Sequence, residues 1–174
     1  MKRFLIGLII GLVAWPIGVL CYLRFGHPPV AVADHPFPLE AQILKVPLHN
    51  RIAADQPKAV PIQPTEANLL AGAQVYSKNC ATCHGMYNQT SIFAQHMYPW
   101  PPPLLQTHGA NRVVGVTDDP ATETYWKVSN GIRLTGMPAF KQVLTPTQIW
   151  QVSVLLANAN KPMPPSIQAL LNKP

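Results

Sequence analysis

Cys80-Ala81-Thr82-Cys83-His84 sets two thiols three positions apart and follows the second with an imidazole. No other five residues restrict the fold so much. This C-x-x-C-H string is the attachment signature of c-type haem: each thiol takes one vinyl group, and the histidine ligates the iron from the proximal side. A chain that carries a macrocycle on its own backbone must fold around it. Other uses of paired cysteines fit less well. A zinc site needs about four ligands, and the one further cysteine, Cys21, lies in an apolar run far upstream. A thioredoxin-like pair follows a strand and opens a βαβ unit, whereas this pair closes a helical stretch. Iron-sulfur clusters need more thiolates than the chain owns.

With His84 on one face of the iron, the other face is either open, for ligand binding or catalysis, or closed by a second side chain. The segment Asn130-Gly131-Ile132-Arg133-Leu134-Thr135-Gly136-Met137-Pro138-Ala139-Phe140 places a methionine between glycine and proline, 53 residues after His84. Here the chain closely resembles class I, membrane-anchored bacterial monohaem cytochromes c. The resemblance runs from about Thr65 to Asn160 and is strongest over Cys80–Gly85 and Asn130–Phe140. It implies that Met137 is the distal ligand and that one covalent haem c is bound. The flanking residues support this: Gly136 allows an unusual backbone angle and Pro138 stiffens the chain after Met137, so the thioether sits on a preset loop. Met/His ligation raises the potential and suits an electron carrier. Met86, Met97 and Met163 read as core filler. His96 and His108, in the long loop, are the histidine alternatives to Met137 and read as surface residues.

The resemblance also implies that a proline and a leucine beyond the haem motif pack on the haem near the proximal histidine, and that a backbone carbonyl there orients the imidazole. Pro103 and Leu104 are the candidates. The run Pro101-Pro102-Pro103 leaves the register open by a residue or two.

Lys2 and Arg3 precede Phe4 to Leu23, twenty residues without a charge. At about 1.5 Å rise per residue such a helix spans a hydrocarbon layer of roughly 30 Å. It reads as one transmembrane anchor over residues 1–25. The cationic amino terminus places that end in the cytoplasm by the positive-inside rule, and the haem domain on the periplasmic or outer face. A cleaved signal peptide is the competing reading: Ala31-Val32-Ala33 matches the small-residue cleavage pattern, but the apolar run exceeds the usual length and ends well before it.

Residues 26–64 read as a proline-rich spacer, within which Leu39 to Ile52 suggests a short helix broken near Pro47. Residues 65–160 form the expected haem domain and 161–174 a tail. Thr65 is the expected N-cap of a helix reaching Asn79, with Gly72, Tyr76 and Cys80 on one face. The resemblance implies that Gly72 and Tyr76 receive the C-terminal helix in a close crossing. That helix opens at Thr145-Pro146-Thr147-Gln148 with a capping-box pattern. Asp119-Pro120 opens a middle helix through Ser129, whose Tyr125, Trp126 and Val128 read as haem-cage packing. No stretch asks for a long strand, so the expected fold is all-α, a cytochrome c fold with an N-terminal membrane helix.

The functional expectation is a membrane-tethered carrier of single electrons between respiratory partners, not an enzyme. Its rivals are a haem-bearing subunit of a membrane dehydrogenase or oxidase, and a peroxidase or gas-binding protein with an open distal face. The partners are a redox donor and acceptor and the membrane. Beyond residue 33 there are ten Lys/Arg against seven Asp/Glu, scattered rather than striped, which argues against nucleic acid and gives only weak steering by an acidic partner.

Overall fold

The computed structural model describes residues 1–172. It is 54% helix and 3% strand, so the fold is all-α. The chain divides into two compact units, Met1–Glu40 and Ala41–Pro174.

The first unit is dominated by helix α1 (Lys2–Phe25), which contains Pro16 and buries none of its residues. Among the described residues it is the one helix long and apolar enough to cross a membrane, a test that a signal segment also passes.

Helix α2 (Glu40–Asp55) belongs to the second unit from its second residue onward. This helix runs unbroken through Pro47, where a break was expected. Pro47 removes one backbone donor, but the helix is exposed there, so the freed carbonyl can meet water. The end of α2 belongs to the packed unit rather than to a free spacer: Ile52 is buried, and Gln56 Oε1 accepts a hydrogen bond from Thr122 Oγ1 at 3.0 Å.

Helix α3 (Glu66–Asn79) starts as the sequence indicates, with Thr65 Oγ1 accepting from the Asn68 amide. A single turn, α4 (Ala81–His84), follows directly. A long loop then carries a two-residue hairpin, β1 (Thr107–His108) against β2 (Val113–Val114). Helix α5 (Ala121–Asn130) comes next, with Pro120 at its N-cap. Helix α6 (Pro146–Ala157) opens on a full capping box between Thr145 and Gln148. Removing it with Thr145→Ala is expected to cost about 1 kcal/mol, read as a lower denaturant midpoint with unchanged slope. Residues 161–172 are more than a tail: α7 (Pro165–Leu171) buries Ile167 and Leu171 and packs against α3.

The core lies where α3, α5, α6 and α7 meet. Helices α3 and α6 cross so closely that a Cβ on Gly72 would fall on the Gln151 carbonyl and press on Leu155. This is the crossing that the resemblance implied. Tyr76, one turn later, is fully buried and donates to the Gly85 carbonyl at 2.7 Å. That bond ties α3 to the residue just past the cysteine pair. Tyr76→Phe would leave a buried acceptor unmet, and a loss of about 1–3 kcal/mol is expected in chemical denaturation.

Candidate haem-attachment site

Cys80 caps α3 and its amide still reaches Tyr76 O at 2.8 Å. The next turn carries Cys83 and His84, with the His84 amide on Cys80 O at 2.9 Å. One turn of helix therefore presents all three groups. Both thiols are free and half-buried. Burial, with Cys83 beside it, pushes the Cys80 thiol up to about 12, so the folded chain holds it as a neutral thiol. Among the described residues no three His, Cys, Asp or Glu side chains converge as a metal-binding set.

His84 Nδ1 lies 2.7 Å from the Pro102 carbonyl oxygen. A carbonyl can only accept, so Nδ1 carries the proton and donates. Burial lowers the pKa of His84, partly offset by this hydrogen bond, and so favours the neutral ring. Nε2 is then left with its lone pair, the form that ligates a metal, and the outer-shell carbonyl fixes the tautomer and ring orientation. The orienting carbonyl belongs to Pro102, one residue before the Pro103 and Leu104 pair chosen from the sequence. Three consecutive prolines give no side-chain signal of register, so the spacing alone does not single this residue out. Pro103 and Leu104 are themselves buried, and Leu104 is part of the core.

The Met137 loop leaves α5 through Gly131, whose φ of 66° and closeness to the Met137 and Pro138 backbone both require glycine. The turn is then buckled by Thr135, whose hydroxyl donates to Ile132 O at 2.7 Å and accepts from the Met137 amide at 3.1 Å. The Ile132 amide in turn reaches Met137 O at 3.3 Å. Gly136 does not supply the unusual backbone angle expected of it. Positive φ falls on Leu134 instead, and the end of the flexible Met97 side chain lies where a Cβ on Gly136 would be. Met137 and Cys80 are half-buried and pack on the same core cluster that contains Leu104.

His96 is exposed, and His108 Nε2 lies 2.8 Å from Gly115 O. Met86 and Met163 are core residues. On α5, Tyr125 stacks on Trp150 of α6 with ring centroids 4.0 Å apart. The buried hydroxyls of Thr124 and Ser129 have no hydrogen-bond partner among the described residues, leaving polar atoms to be met by water or a bound group. The donor set therefore suits haem c: two unpaired thiols on one turn, and beside them a neutral imidazole with its lone pair available.

The family described as cytochrome c oxidase, cbb3-type, subunit III, matches residues 67–156. The chain belongs to this cytochrome c family. It is also similar to cytochrome c6 of Limnospira maxima, with 32% identity over 91 residues, covering 52% of this chain and 92% of that protein. No solved structure matches the chain. The protein is thus a c-type cytochrome, an electron carrier of a family that holds haem c covalently. The matched span runs from α3 to the end of α6 and so contains the thiols, the imidazole and the Met137 loop. It leaves out α1, α2 and α7.

Proposed function

We propose that this c-type cytochrome is anchored by α1 in the cytoplasmic membrane, carries one haem on its periplasmic or outer face, and passes single electrons between respiratory redox proteins. In this reading His84 and Met137 would ligate the iron, Cys80 and Cys83 would take the thioether bonds, and Pro103 and Leu104 would wall the haem pocket. The observation that carries it is the His84 ring, held by Pro102 O at 2.7 Å on the turn that bears both thiols. Bound there, haem c supplies an iron that gains and loses one electron. The chain's own residues hold the site rigid: Pro102 fixes the imidazole, Tyr76 ties the cysteine turn to α3, and Thr135 buckles the loop that offers the thioether. A site fixed in this way changes little between oxidation states, which favours electron transfer.

The family description favours a second reading, in which the chain is a fixed subunit of a membrane oxidase or related complex. Extraction in mild detergent followed by sizing separates the two. A free carrier elutes as a small coloured species. A fixed subunit comigrates with a large haem-bearing assembly.

A further inference from the structure

Helix α2 carries apolar residues on two sides, and among the described residues only one side is buried. At about 3.6 residues per turn, Leu48 and Ile52 share one side and Ile43 and Val46 lie nearly opposite. Ile52 is 2% exposed, whereas Ile43 and Val46 are 65% and 62% exposed. The docked side continues into Gln56, which is bonded to Thr122 just inside α5. The outward side packs against no other part of its own unit among the described residues. Residues 26–39, only 14 in number, separate this helix from the end of α1, and Val30, Val32, Phe37 and Leu39 within them are exposed as well. Apolar exposure is thus carried along the chain from the anchor to Val46.

We propose that the Ile43/Val46 face of α2 lies in the lipid interface of the membrane that α1 crosses, so that α2 joins the haem domain to the bilayer through its two opposite sides. This rests on reading α1 as a retained anchor. A fully extended connection of 14 residues reaches no more than about 50 Å, which keeps α2 within that distance of the end of α1. At the effective concentration such a tether gives, a short apolar stripe needs little affinity of its own. The consequence is a haem domain held in one orientation to the membrane rather than swinging on a free spacer.

The test uses the full, haem-loaded chain, one per nanodisc, in phospholipid bearing a photoactivatable carbene in its acyl chains, with adducts mapped by peptide mass. Adducts on α1 and on Ile43 and Val46, at least fivefold above those on the exposed Val143, are expected. In Ile43→Glu/Val46→Glu the adducts in α2 should fall to the Val143 level while those on α1 persist. Adducts on α1 with none above the Val143 level at Ile43 and Val46 would overturn the proposal and leave the anchor standing. No adducts on α1 would remove the anchor itself, and the proposal with it.

Discussion

Met137→Ala is expected to open one face of the haem iron while leaving the cofactor attached. If His84 and Met137 both ligate the iron as proposed, the wild-type protein should bind carbon monoxide poorly when reduced and show the sulfur-to-iron charge-transfer band when oxidised. The variant should lose that band, bind the gas rapidly at one per haem, and fall in reduction potential, since Met/His ligation is what raises it. The loop should survive the change. Its shape depends on Gly131 and on the Thr135 hydroxyl bonded to Ile132 O and the Met137 amide, none of which involves the thioether. Rapid gas binding by the wild type would instead favour an open distal site, and an unchanged band in the variant would move the distal ligand to another residue.

Gly72→Ala is expected to be strongly destabilising although it adds a single methyl. The new Cβ would land on the Gln151 main-chain carbonyl, and backbone cannot swing aside as a flexible side chain does. Helices α3 and α6 would have to separate, loosening Leu69, Tyr76, Val152 and Leu155 together. About 3 kcal/mol is expected, a large part of the roughly 5–15 kcal/mol that holds a small domain folded. Chemical denaturation of the haem-loaded protein measures it. A cost below about 0.5 kcal/mol would show that the crossing is not tight. The ordinary penalty of glycine within a helix works the other way by up to about 1 kcal/mol, so the sign of the result also discriminates.

Much of this was legible in the sequence because its signals are local. Thr65, the Thr145–Gln148 box and Pro120 announce three helix starts through residues that suit the first, unpaired turn, and the structure keeps each within a residue. The C-x-x-C-H turn is equally local. The missed features depend on tertiary contacts that no spacing encodes. Which proline carbonyl meets His84 is decided by how the loop returns to α4. The Met97 side chain comes up against Gly136 from a segment distant in the chain. Residues 161–172 read as a tail because a seven-residue helix has little periodicity to display, yet Ile167 and Leu171 are fully buried against the core. Pro47 suggested a break, but a helix exposed to water tolerates one lost donor.

The haem attachment itself is tested most directly by intact-mass measurement of the chain purified from membranes, after treatment with an alkylating reagent under denaturing conditions. One haem added to the polypeptide, with Cys80 and Cys83 unmodified and the protein red, is the expected result. A colourless chain of bare polypeptide mass, alkylated at both Cys80 and Cys83, would contradict it.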